Sequence, residues 1–116
     1  MEGYPKFLRE GDSLVKIGWS KSERNTYEHK APKGALWALV QAVLRAGAGG
    51  QRFTVEPLLP LRQGGSDIPD YQTYLMLAWL RSVGLVTQHG RQGYTLPAGT
   101  DLEREAERHW GELATR

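Results

Sequence analysis

Leu80-Arg81-Ser82-Val83-Gly84-Leu85-Val86, followed by His89-Gly90-Arg91-Gln92-Gly93-Tyr94-Thr95-Leu96, is the stretch of this 116-residue chain on which the fold is read. An apolar run from Tyr71 to Val83 begins after Pro69 and ends at Gly84. That is the pattern of a helix started near a proline and stopped by a glycine in the left-handed C-terminal position. Beyond it, Leu85 to His89 and Gly93 to Leu96 read as two strands joined through Gly90-Arg91-Gln92, a turn made easy by its flanking glycines. A helix that runs directly into a tight hairpin is therefore the anchor of the reading.

Upstream, Pro32 stands where a first-turn proline begins a helix, and Leu36, Leu39, Val40, Val43 and Leu44 recur at helical spacing until Gly47. Ala48-Gly49-Gly50 is a loop, and Phe53 makes a short strand. Thr54 then caps a short second helix carrying Val55, Leu58, Leu59 and Leu61, with Pro57 early enough to be tolerated and Pro60 limiting its length. A turn from Arg62 to Asp67 leads into the third helix. In the first segment, Val15, Ile17 and Trp19 alternate with smaller or polar residues as in a half-buried strand. The turn Ser20-Lys21-Ser22-Glu23-Arg24-Asn25 returns through Thr26-Tyr27-Glu28-His29-Lys30 as its partner. From Asp101 onward, Leu102, Ala106, Trp110 and Leu113 share one face of an amphipathic helix.

Helix, short strand, helix, turn, helix and a two-stranded wing is an order that resembles the winged helix-turn-helix superfamily over about residues 32–97. The Leu80 to Val86 junction is similar to the family's end of helix three, and His89 to Leu96 to its compact wing with a basic tip. The resemblance implies a mainly α fold with a small β component (α+β): a three-helix core plus a two-stranded wing. To this the chain adds an N-terminal β-hairpin, which the family does not explain, and the C-terminal amphipathic helix. The expected organisation is one domain over 1–116, with 1–33 the hairpin extension, 34–97 the winged-helix core and 98–116 the tail.

Hydrophobic residues make up 40% of the chain and charged residues 24%, a globular composition. Cysteine is absent, which excludes disulfides, thiolate metal sites and thiol nucleophiles and suggests a reducing, cytoplasmic setting. No run reaches the roughly 18 apolar residues of a membrane span, so no membrane partner is expected. Net charge is +2, with the excess of Lys and Arg in the first 97 residues and an acidic tail. His29, His89 and His109 are too scattered for local metal-ligand spacing. Ala46-Gly47-Ala48-Gly49-Gly50 lacks the Lys-Ser/Thr of a phosphate loop. With no triad or carboxylate pair assembled either, neither an enzyme, a cofactor nor a metal is expected.

The candidate sites are three. In DNA-binding members of the family the outward residues of helix three read base edges. Here Arg81 is that helix's only cation, and Asp67 and Asp70 stand near the end that would meet phosphate. Double-stranded DNA contact is therefore assigned to the basic hairpin, Lys16, Lys21, Arg24 and Lys30, and to the wing, Gln88, His89, Arg91 and Gln92. Trp19 and Tyr27 interleave with the hairpin cations in the mixture that grips nucleic acid by charge and stacking. The alternative is a protein-interaction module that docks through Tyr71, Gln72, Leu75 and Trp79. With Thr73, Met76, Leu77 and Leu80 facing the core, that second apolar face must be covered by the hairpin, the tail or a partner. The tail stripe Leu102, Ala106, Trp110 and Leu113 is the expected homodimer contact, anchored by Trp110.

Overall fold

The computed structural model describes residues 3–116. Three strands come first: β1 (Lys6–Glu10), β2 (Ser13–Ser20) and β3 (Asn25–Pro32), paired antiparallel in that order. Pro32 ends β3 and caps α1 (Lys33–Ala46), which stops at Gly47. Phe53 then pairs with Tyr94 through a single bridge. The short hairpin β4 (Arg62–Gln63) and β5 (Ser66–Asp67) turns on Gly64-Gly65. After it come α2 (Asp70–Ser82), the hairpin β6 (Thr87–Gln88) and β7 (Tyr94–Thr95), and α3 (Leu102–Gly111).

The ends of α2 behave as the spacing predicts. Gly84 adopts φ +79°, its N–H donates to the Arg81 carbonyl at 3.0 Å, and the Leu85 N–H donates to the Leu80 carbonyl at 2.9 Å. These paired bonds satisfy carbonyls that a helix end otherwise leaves open, and only glycine takes the left-handed angle without cost. Leu85 and Leu80 are both buried beside the turn.

The three-helix core with a wing is overturned. The described residues hold three helices, but α3 is the tail, and seven strands in three small sheets replace the expected minor β component. Where the second core helix was expected there is one 3-10 turn, Glu56–Leu58. Proline explains the difference. Pro60 has no N–H to continue a helix and pushes the residue before it to extended angles, and Leu59 sits at φ −86°, ψ 147°. The N-terminal element is likewise a three-stranded sheet and not a hairpin, because Lys6–Glu10 adds to the other edge of β2.

The core lies between this sheet and the helices. Leu14 and Ala31 face inward from β2 and β3, Leu36, Leu39, Val40 and Val43 from α1, and Met76, Leu77 and Leu80 from α2. Leu75 and Trp79, on the side of α2 that needed a cover, are 3% and 1% exposed. Their cover includes the tail: Trp110 meets Trp79 edge to face with centroids 6.0 Å apart. Asp101 caps α3 by accepting from the Arg104 N–H at 3.2 Å. Past α3 the chain runs parallel to β1, with Arg9 N–H on the Ala114 carbonyl and Arg116 N–H on the Arg9 carbonyl, each at 2.8 Å.

Leu102, Ala106 and Trp110 are thus buried against the chain's own core, with Leu113 half-buried beside them. The stripe offers no free face, which removes the ground on which a dimer was expected. Among the described residues no helix is long and apolar enough to cross a membrane. Truncating Trp110 to Ala should lower unfolding free energy by about 3–5 kcal/mol in urea titration, the usual cost of an emptied aromatic site. Its sedimentation coefficient should stay that of the unaltered chain.

Candidate nucleic-acid interface

Alternation along β2 sorts the sheet's side chains. Leu14, Lys16 and Gly18 share one face with their partners Ala31, His29 and Tyr27, and Val15 and Ile17 share the other with Lys30 and Glu28. The first face is covered by the helices at its Leu14 end only. Towards the turn it is open, and Lys16, His29 and Tyr27 stand on it.

Tyr27 lies across Gly18, where any β-carbon would overlap the phenol ring. The ring rests on bare backbone with 36% of its residue surface exposed. His29 is next in the row, its ring centroid 5.1 Å from Tyr27 and 5.7 Å from Tyr71 at the start of α2. Tyr71 is 51% exposed, and Tyr74, one helical turn along, is 43% exposed. A band of rings therefore leads from the β2–β3 turn, over the start of α2, to a cleft of about 310 Å³ bordered by Tyr74, Glu56 and Arg91. At the other end a cleft of about 210 Å³ is lined by Lys16, Lys21, Tyr27, Trp19 and Tyr4.

The turn that carries Lys21 and Arg24 is tightly bonded. The Ser20 carbonyl accepts from the Arg24 N–H at 2.8 Å, and the Ser20 hydroxyl accepts from the Glu23 N–H at 3.2 Å. Arg24 itself takes φ +54°, the one non-glycine residue at positive φ among those described. An L-residue pays roughly 1–2 kcal/mol for that conformation.

The opposite face is charge-neutralised. Arg116 holds Glu28 at 2.6 Å and Glu10 at 2.7 Å, and Lys30 holds Glu10 at 3.1 Å. Those partners sit on β1 and β3, so the network crosses β2 on the side of Val15, which is fully buried although it lies outside the helix-facing core. Hydrogen bonds from Arg116 hold both carboxyls below the ordinary glutamate range, with Lys30 assisting at Glu10. Lys30 is therefore turned away from Lys16 and does not join the cleft that Lys16 shares with Lys21.

The β6–β7 hairpin departs from its expected role in a similar way. Gln88 accepts from Arg81 and donates to the Gly90 carbonyl, His89 Nε2 meets Thr95 Oγ1 at 2.7 Å, and Gln92 accepts from Arg52 at 2.8 Å. Three of the four residues thus brace the hairpin, and among the described residues Arg91 has no such partner. On α2, burial of Leu75 and Trp79 leaves Tyr71 and the half-buried Gln72 as all that remains of the protein-docking face. Sequence reasoning missed the exposed ring of Tyr74 and the approach of the His29 ring to Tyr71, tilted by 59°, which only the packing of α2 against β3 creates.

Every ion pair among the described residues lies on the Val15 face, between α1 and α3, along α3, or in the β4–β5 hairpin. None involves Lys16, Lys21, Arg24 or Arg91. No protein-family model, curated protein or solved structure matches the chain.

The Arg116 network sets a pH dependence. The folded-state pKa values of Glu10 and Glu28 are depressed, so their stabilisation is complete above the ordinary value of 4.5 and is lost as pH falls through the lowered values. Thermal unfolding followed from pH 7 down to pH 2 should show a decline beginning below about pH 4.5. In Arg116→Met that acid-side decline should be shallower.

Proposed function

We propose that the chain is a non-enzymatic nucleic-acid-binding domain of regulatory type that grips the phosphate backbone through Lys16, Lys21 and Arg24, with Arg91 as an outlying contact. One observation supports this reading above the rest: Lys16 and Lys21 line one cleft with Tyr27, Trp19 and Tyr4, and none of the ion pairs among the described residues reaches it. Exposed Lys and Arg near acids ordinarily pair with them at little gain or cost. A face left uncompensated beside exposed aromatic rings suits a polyanion whose units also present flat apolar surfaces. The strained backbone at Arg24 agrees, since an unfavourable angle kept for a charged side chain points to a use for it.

Protein docking through Tyr71, Gln72, Leu75 and Trp79 has lost its support, because its two largest apolar members are inside the core. Nucleic-acid contact through Lys30, Gln88, His89 and Gln92 has lost support for the matching reason, each being engaged within the chain.

A titration against a nucleic-acid strand at several salt concentrations tests the proposal. Affinity should fall linearly in the logarithm of salt. The triple variant Lys16→Gln, Lys21→Gln, Arg24→Gln should reduce the slope by about 2 to 3, as for three lost phosphate contacts. An unaltered slope, or binding that ignores salt, would sink the reading.

A further inference from the structure

We infer that the ligand of this face is single-stranded, with unpaired bases stacking along Tyr27, His29 and Tyr71 while the flanking phosphates meet Lys16, Lys21 and Arg24. The inference rests on the proposed nucleic-acid reading and specifies its ligand. Three features of the face carry it.

The first is the presentation of the rings. Tyr27 lies across Gly18, its ring occupying the space a β-carbon would take, and it remains exposed to solvent. Successive centroids at 5.1 and 5.7 Å, with planes tilted by 53° and 59°, make a row of rings, and Tyr71 is more exposed than Tyr27. Duplex DNA hides its base faces inside the stack, so such a row has nothing to hold there, whereas an unpaired strand offers a π face at every nucleotide.

The second is the placement of charge. Lys16 and Lys21 stand at the β2–β3 end of the band, while carboxylates adjoin its other half: Asp70 is next to Tyr71, and Glu56 borders the Tyr74 cleft opposite the single cation Arg91. Burial raises the phenol pKa of Tyr74, and the charges of Glu56 and Asp70 raise it further. A duplex laid along the band would bring its phosphate rails over Asp70 and Glu56. A single strand can turn its phosphates to one side and its base edges, which carry N–H donors, to the other.

The third is shape. α2 offers no cation-rich face to a major groove: Arg81 is its single cation, hydrogen-bonded to Gln88. The cleft beside Tyr27, at about 210 Å³ and lined by Lys16, Lys21, Trp19 and Tyr4, is of a size to take a base or a sugar-phosphate unit.

The test is fluorescence anisotropy of the full chain with a labelled mixed-sequence oligonucleotide of about 12 nucleotides, within the usual range of single-strand site sizes. It is run single-stranded as DNA and as RNA, and again as the matching DNA duplex. We expect either single strand to bind at least tenfold more tightly than the duplex. Tyr71→Ala, at an exposed position, should weaken single-strand binding by about 5- to 100-fold, the range typical of one lost base stack. Tyr71→Phe should bind as the unaltered chain does, and duplex binding should be unchanged in both. Tyr27→Ala, checked by circular dichroism for an intact sheet, should repeat the loss.

Equal or tighter duplex binding, or a Tyr71→Ala variant with full single-strand affinity, overturns the inference. If the triple cation variant weakens both ligands equally while the tyrosine variants weaken neither, the nucleic-acid reading stands and the single-strand inference fails. If that triple variant weakens neither, both fail.

Discussion

Because side chains alternate across a strand, the register in which Ser13–Ser20 pairs with both neighbours decides the environment of every residue around it. Leu14 enters the helix-facing core and Val15 goes beneath the Arg116 network, although they are adjacent in sequence. The same register sets Lys16 beside His29 and Gly18 beneath Tyr27 on one face, and Lys30 and Glu28 on the other. A slip of one residue would exchange the two faces, burying Lys16 and exposing Leu14. Core, ion-pair face and ring platform therefore stand or fall together.

The tail contributes a second constraint at the far side of the molecule. α2 is apolar around most of its circumference, and a single sheet can cover only part of such a helix. Trp110 closes the side that includes Trp79, and Ala114 to Arg116 then add to the edge of β1. The segment that buries α2 is thus continuous with the one that delivers Arg116 to Glu10 and Glu28. Aromatic packing on one side of the domain and charge neutralisation on the other are linked through about five residues of chain.

How far the sequence could be read follows from which signals are local. The bounds of α1 and the C-terminal end of α2 were legible from Gly47 and Gly84, but for different reasons: Gly84 takes the left-handed angle with nothing packed on it, whereas Gly47, at φ −99°, sits close under Leu96 and Phe53. The β2–β3 pairing was legible from alternation. The missing second helix was a conflict between apolar spacing and Pro57 with Pro60, and the prolines prevailed, leaving a single 3-10 turn. β1 gave no clean alternation, and its strand state depends on the edges it meets. The amphipathic stripe of the tail was plain, but its destination was not, since packing on Trp79 and packing on a second copy have the same periodicity. In the candidate site, Lys16, Lys21 and Arg24 were legible as a basic cluster. The sorting of Lys30 to the other face follows from the parity of β3, but its pairing with Glu10 spans the sheet. The approach of Tyr71 to His29 depends wholly on how α2 packs against β3.

The positive φ of Arg24 carries an evolutionary consequence. Glycine would relax the turn there, so a search for heat-resistant variants would accept Arg24→Gly as a gain of up to about 1 kcal/mol. It would also delete a cation from the face that carries Lys16 and Lys21. Natural and engineered lineages should therefore diverge at this residue: selection for robustness alone favours the smaller side chain, and selection that retains the ligand keeps the strained one.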